Sequence, residues 1–316
     1  MSRFQELLKA SMKSKDTEEW IDVHFTRPVG LVFVLIWKRF GVHPNAVTIL
    51  SIFLGIGAAY CFYFVDLWHN IIGVGLLIFA NLCDSTDGQL ARLTNQRSFL
   101  GRLLDGFSGA MWFSCIYIAL ALRLQQQFMP STDVRWGFVI WILAAVSGML
   151  CHGPQSSLSD YYRQIHLFFL KGTEGSELDY SFQQRAIYES LDKKEWLKRM
   201  FYFNYARYCR SQERRTPIFQ SFFSLYQQYP NEKVKEHFLA GSKPLMLYAN
   251  VLTFNVRAIC LYVSCLLNAP WFYFIFEMTV LQLLYVYMHK RHETLCRSFL
   301  GIVQQEKTLE EEESSK

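Results

Sequence analysis

Apolar residues along this chain gather into long blocks, and the charged residues lie between the blocks. A bilayer core needs about 20 mostly apolar residues in helical form. Six blocks meet that need: 45–65, 70–90, 100–122, 134–158, 243–267 and 271–289. A shorter stretch at 27–37 (RPVGLVFVLIW), ended by Lys38 and Arg39, is too short to cross. With Trp37 and the cations at headgroup level, it predicts a helix lying in the membrane interface. The pattern therefore predicts an all-α integral membrane protein with six transmembrane helices, an N-terminal interfacial helix and a cytosolic helical insertion.

The insertion is residues 159–242, polar and aromatic, with apolar positions at helical spacing. Several helices packed on the membrane face are expected there, without a catalytic domain of their own. Residues 1–40 are then a cytosolic and interfacial segment, 41–158 hold the first four crossings, 243–292 the last two, and 293–316 an acidic tail. The end of that tail, EKTLEEEESSK, predicts a solvated, disordered terminus.

Lysine and arginine favour the cytosolic side of a membrane. Loops 66–69 and 268–270 contain neither, and 123–135 holds only Arg123 and Arg135. The opposite side carries seven in residues 1–39, then Arg92, Arg97 and Arg102, and Lys290 and Arg291 after the last block. Both termini and the turn between the second and third crossings are expected in the cytosol. That places the chain in a cytoplasmic membrane, or an ER-type membrane in a eukaryote.

Composition changes this picture little. Of 316 residues, 51% are hydrophobic, 16% aromatic and 19% charged, and the formal net charge is +5. No stretch interleaves basic and aromatic residues along a groove, so no nucleic acid is expected, and anionic membrane lipid is the expected surface. The eight cysteines form no CxxC pair, which argues for reduced packing residues over disulfides or zinc. The polar N-terminus lacks the apolar core of a signal peptide.

Chemistry concentrates at Asp84-Ser-Thr-Asp87-Gly88-Gln-Leu-Ala91-Arg92, followed after eight intervening residues by Gly101 and then by Asp105. Asp84 and Asp87 are three apart, so on a helix they share a face. Carboxylates at the end of a membrane span are costly and mark a functional site or a cation partner. Two on one face repel unless a hard divalent cation lies between them. Gly88 and Ala91 let a neighbouring helix or a nucleotide approach the backbone. Gly101 and Asp105 repeat the combination on the next helix, so three carboxylates from two antiparallel helices converge at the cytosolic edge. Such a cluster suits metal-assisted phosphate chemistry. The plainer alternative pairs Asp84 and Asp87 with Arg92 or Arg97 in a solvated helix end, but the spacing held over the whole segment favours a site.

This segment resembles the signature of the CDP-alcohol phosphotransferases, DxxDGxxAR-x8-GxxxDxxxD, at seven of its eight fixed positions. Pro44-Asn45-x-x-Thr48 upstream also looks like that family. The resemblance covers roughly 28–292 apart from the insertion. It implies a homodimeric enzyme of phospholipid synthesis that moves a phospho-substituted group from a CDP-linked lipid, such as CDP-diacylglycerol, to an alcohol, releasing CMP. It also implies roles for individual residues. Asp84, Asp87 and Asp105 would hold Mg²⁺ or Mn²⁺ against the pyrophosphate. Gly88, Ala91 and Gly101 would make room for cytidine and phosphates, and Arg92 would buttress the site or contact phosphate.

The last position departs. The family's final aspartate, thought to be metal ligand and general base, is here Gly109, and Ala110 supplies no carboxylate either. A missing base costs roughly 10²- to 10⁴-fold. Three readings stay open: a replacement that traps substrate, a base from elsewhere with His152 or Asp160 as candidates, or a relative that binds CDP-lipid without turnover. The plain reading of His152 is a helix-end histidine bonded to backbone.

Arg257 lies mid-block in LTFNVRAICLYV, with Asn250 and Asn255 nearby. A guanidinium at that depth needs a counter-charge or a water-filled pocket. It would pair with Asp105, or bind an anionic acceptor through its fork with help from Lys243. An inositol phosphate or another polyol phosphate fits the second option, resembling the phosphatidylinositol-phosphate synthases. Serine, inositol and a ceramide stay open. Arg207, Arg210, Arg214 and Arg215 in the insertion read as a solvated helix face toward anionic lipid.

Overall fold

The structure, a computed structural model, describes residues 3–11, 14, 16–96 and 98–314. The described chain is helical: α1 Arg3–Ser11, α2 Arg27–Arg39, α3 Pro44–Tyr63, α4 Leu67–Thr94, α5 Phe99–Leu124, α6 Val139–Ala145, α7 Gly153–Lys171, α8 Ser181–Ser190, α9 Trp196–Arg215, α10 Pro217–Gln228, α11 Glu232–Val251, α12 Phe254–Leu266, α13 Trp271–Phe276 and α14 Gln282–Ser314. Wider π turns lie at Asp22–Thr26, Val146–His152 and Glu277–Leu281. By contacts the chain divides into two compact units, residues 1–154 with 254–282, and residues 155–253 with 283–316.

Five helical stretches are long and apolar enough to cross a membrane: Pro44–Tyr63, Leu67–Thr94, Phe99–Leu124, Glu232–Leu266 and Trp271–Ile302. The fourth expected crossing, 134–158, is not among them. Its residues form the short α6, the π turn Val146–His152 and the start of α7. Gly148 and the Gly153-Pro154 pair interrupt the apolar run there, and polar residues follow directly. The expected interfacial segment is helical as α2.

In the first unit, small residues let bulky side chains in, which is how apolar helices associate where lipid removes much of the hydrophobic drive. A Cβ on Gly55 of α3 would run into the indole of Trp112 on α5. One on Gly73 of α4 would meet the Phe62 ring at 2.9 Å. Trp112, Phe62, Leu77, Ile116 and Leu120 form the buried centre between α3, α4 and α5. At one end of these helices Arg123, buried, donates to Phe62 O at 2.9 Å, Asn70 Oδ1 at 2.8 Å and Asn268 Oδ1 at 2.7 Å.

At the other end the chain reverses between α4 and α5. Asn95 ends α4 in the left-handed region, φ 53°, a conformation asparagine tolerates better than most residues. Ser98 then starts α5, its hydroxyl accepting the Gly101 N–H at 2.9 Å. This hairpin sets the two motif helices antiparallel.

The second unit is built on aromatic packing. Phe169, Phe219, Phe222, Phe223 and Phe238 are buried, with the Phe169 and Phe238 rings 4.2 Å apart. Glu293 Oε2 accepts the Ile218 N–H at 3.0 Å, satisfying the first turn of α10. The insertion is thus helical as expected. The acidic tail differs from expectation: the backbone of α14 is helical to Ser314, and Ser315 and Lys316 lie outside the described residues. Glutamate and lysine are good helix formers, and extending an existing helix needs no new nucleus.

Candidate active site

The hairpin brings Asp84 and Asp87 of α4 together with Asp105 of α5. One carboxylate oxygen from each lies within 4.8 Å of the others. Asp87 is buried, Asp84 half-buried and Asp105 exposed, so the cluster runs from the helix interface to its surface. The Ser108 hydroxyl donates to Asp84 Oδ1 at 2.6 Å, and the Thr48 hydroxyl donates to Asp87 Oδ2. Both hydroxyls are buried. Among the described residues neither Asp84 nor Asp87 has an ion pair; the side-chain donors to their carboxylates are the neutral hydroxyls of Ser108 and Thr48. Three hard oxygen donors at this spacing match what Mg²⁺ or Mn²⁺ takes up.

Gly101 is where Asn45 comes close: an added Cβ would meet Asn45 Oδ1 at 2.8 Å. The Pro44–Thr48 segment therefore reaches the site twice, through Asn45 at Gly101 and Thr48 at Asp87. Arg92 folds back along its helix, its Nη1 3.4 Å from where a Gly88 Cβ would stand. Ala91 lies one position before it on α4, half-buried. Arg97 is outside the described residues. Gly109 sits one turn beyond Asp105 on the same face of α5, and a Cβ there would meet nothing within 4 Å.

His152 is not brought to this cluster. Its Nδ1 is 3.1 Å from the Tyr117 hydroxyl, and its ring lies 4.4 Å from that of Phe113. Phe113 and Tyr117 stand about 12 and 18 Å along α5 from Asp105, at 1.5 Å per residue. The sequence places His152 at a helix end but does not show which turn of α5 it faces. Asp160, the other candidate base, belongs to the second unit and takes a hydrogen bond from Gln164 at 3.4 Å.

The expected acceptor residues also separate. Lys243 and Asn250 lie on α11 in the second unit, Lys243 exposed. Asn255 and Arg257 lie on α12 in the first. Asn255 Nδ2 donates to Glu19 Oε2 at 2.7 Å and to Asp22 Oδ1 at 3.3 Å. Arg257 is paired with Glu277, Nη1 lying 2.6 and 2.7 Å from the two carboxylate oxygens, both residues almost wholly buried. The counter-charge is therefore Glu277, and not Asp105. Glu277 lies inside the last apolar block, and its isolation there, like that of Arg257, is the sequence signal that pairs them.

Sequence reasoning also missed Ser108 and Arg27. The Arg27 guanidinium reaches Ser85, between the two α4 aspartates, at 3.2 Å.

Comparison with known proteins bears on the same segment. Residues 41–153 match the profile of the CDP-alcohol phosphatidyltransferase family. Proteins of Mycobacterium tuberculosis and Mycobacterium bovis, each named "Putative cardiolipin synthase", are 31% identical over 110 residues, 35% of this chain and 48% of theirs. An uncharacterized protein of Aquifex aeolicus is 34% identical over 88 residues, 26% of this chain and 43% of its own. The match thus spans about half the length of these relatives.

Proposed function

With residues 41–153 a CDP-alcohol phosphatidyltransferase domain, we propose that this chain catalyses metal-dependent transfer of a phospho-substituted group from a CDP-linked lipid to an alcohol, with release of CMP. The observation that carries the reading is the three-carboxylate cluster, two of whose members are held by hydroxyls. Asp84, Asp87 and Asp105 would hold Mg²⁺ or Mn²⁺. A bound divalent ion neutralises pyrophosphate charge and lets CMP depart as an anion.

The chain's own residues do the rest. Thr48 and Ser108 keep the carboxylates oriented. Gly88 and Ala91 leave the α4 face low beside the phosphates, Asn45 at Gly101 lines the nucleotide side, and Arg92 offers a guanidinium to phosphate. The acceptor oxygen bonds to the lipid-side phosphorus as the bond to CMP breaks, and its proton must leave. We assign that proton to Asp105, the exposed carboxylate one turn from Gly109, because His152 is held elsewhere. Positioning and electrostatics supply most of the acceleration. The open space at Gly109 supports a second reading, a chain that binds CDP-lipid without turnover.

Arg257 is engaged by Glu277, so the case for a phosphorylated polyol acceptor now rests on the resemblance. The name of the mycobacterial relatives adds the hydroxyl of a second phospholipid. The reading includes six crossings with residues 134–158 as the fourth, cytosolic termini, and a homodimer.

The test is CMP release by the full chain in lipid bilayers containing CDP-diacylglycerol and Mn²⁺. Acceptors would be inositol phosphate, inositol, glycerol phosphate, serine, ceramide and phosphatidylglycerol. Release that needs one acceptor and stops with chelator supports transfer and names the acceptor. Absence of release with every acceptor, alongside measurable CDP-lipid binding, supports the second reading.

A further inference from the structure

We propose that Arg27 is a positioning residue for the carboxylate cluster: its guanidinium clamps the turn of α4 that carries Asp84 and Asp87. The inference rests on the reading that this turn holds a divalent cation. Arg27 is the first residue of α2. Its Nη1 lies 3.2 Å from Ser85 O and 3.2 Å from Ser85 Oγ. Its Nε donates to Glu18 Oε2 at 2.7 Å, and the two side chains are 16% and 3% exposed. Arg27 thus ties the N-terminal segment, through Glu18, to the residue that separates the two aspartates by sequence. Adjacent Cα atoms are 3.8 Å apart, so a shift of Ser85 is a shift of Asp84.

Two further contacts tighten the joint. Gln89 Nε2, one turn along α4, donates to Arg27 O at 3.3 Å. Gly30 faces the same glutamine so closely that an added Cβ would meet Gln89 Oε1 at 2.8 Å. The two helices also share an apolar contact: Leu31 and Val34 of α2 pack with Cys83 and Leu90 of α4. That packing holds α2 on α4 without the guanidinium. What Arg27 adds is direction. A carbonyl has two acceptor lone pairs; in a helix one takes the i+4 N–H, and Arg27 occupies the other, fixing the rotation of the turn. Only a planar fork serves Glu18 with Nε and Ser85 with Nη1 at once, so lysine is no substitute.

Position and charge predict opposite signs. As a nearby positive charge alone, Arg27 opposes cation binding, and its removal tightens Mn²⁺. As a clamp, its removal weakens Mn²⁺ by the ~10- to 100-fold typical of groups that orient metal ligands. The experiment uses the full chain in lipid nanodiscs, as wild type, Arg27→Gln, Arg27→Lys and Glu18→Gln. Mn²⁺ affinity is read by electron paramagnetic resonance, and amide hydrogen exchange across residues 84–89 is read without metal.

Faster exchange there in Arg27→Gln and Glu18→Gln, with weaker Mn²⁺ binding that Arg27→Lys does not restore, is the expected result. Unchanged exchange in both, or tighter Mn²⁺ binding in Arg27→Gln with wild-type behaviour in Arg27→Lys, overturns the clamp. A wild-type chain that binds no Mn²⁺ overturns the metal reading itself, and the exchange data still decide whether Arg27 holds the turn. If Arg27→Gln does not fold, Glu18→Gln, which keeps the arginine, carries the same expectation.

Discussion

Two sets of charged side chains among the apolar helices of the first unit are completed in opposite ways. Arg257 and Glu277, on neighbouring helical segments, are buried and bonded to each other. Asp84 and Asp87 receive hydrogen bonds from hydroxyls and, among the described residues, have no ion pair, although a third carboxylate, Asp105, lies beside them. A charge whose counter-charge is built in belongs to the fold. Like charges brought together, two of them held by hydroxyls, repel one another, and a bound cation relieves that repulsion. Burial alone does not separate the two cases, since Arg257 is the more buried; the identity of the partner does.

The largest effect that sharpens this contrast is on turnover. Asp84→Asn is expected to lower CMP release at least ~10³-fold, about 4 kcal/mol of transition-state stabilisation. Its thermal unfolding should not worsen, because one of three mutually repelling charges is gone. The built-in pair should respond the other way. Arg257→Met is expected to cost about 3–5 kcal/mol of stability, read by thermal unfolding in detergent, by leaving Glu277 buried and unpaired. The double replacement Arg257→Met with Glu277→Met should recover most of that loss. If the double variant is as unstable as the single one, the pair is not a closed unit.

Smaller effects follow at the margins. Arg123 serves three oxygen acceptors at the opposite end of α3, α4 and α5. Arg123→Met should destabilise by about 1–3 kcal/mol, the penalty for buried acceptors left unmet, and leave the Mn²⁺ affinity of the carboxylate cluster as it was. Gly109→Asp has room for its Cβ and adds a carboxylate one turn from Asp105. It should fold and tighten Mn²⁺ binding about tenfold, ~1.4 kcal/mol. Unchanged Mn²⁺ affinity would show that position 109 faces away from the ion.

The sequence made the carboxylate cluster legible because its information is local. Asp84 and Asp87 share a helix face by spacing, and Asp105 returns on the next helix after a turn that Asn95 and Ser98 mark. Apolar block length likewise revealed the long helices. What stayed hidden depends on which helix lies beside which. Nothing local to Arg257 says that Glu277 faces it, and nothing local to His152 says that it meets α5 at Phe113 and Tyr117. The hydrogen bond of Arg27 to Ser85 joins residues 58 apart. The fourth block is helical from Val139 to Lys171, but it widens into a π turn at Val146–His152 and turns polar after Gly153-Pro154, so block length alone does not describe it.

Direct titration of the purified full chain with Mn²⁺, followed by electron paramagnetic resonance, separates the two charged sets most cleanly. Wild type and Arg257→Met with Glu277→Met should bind the ion alike, and Asp84→Asn should lose it. Binding that survives Asp84→Asn, or no binding by the wild-type chain, would contradict the assignment of Asp84, Asp87 and Asp105 as a metal centre.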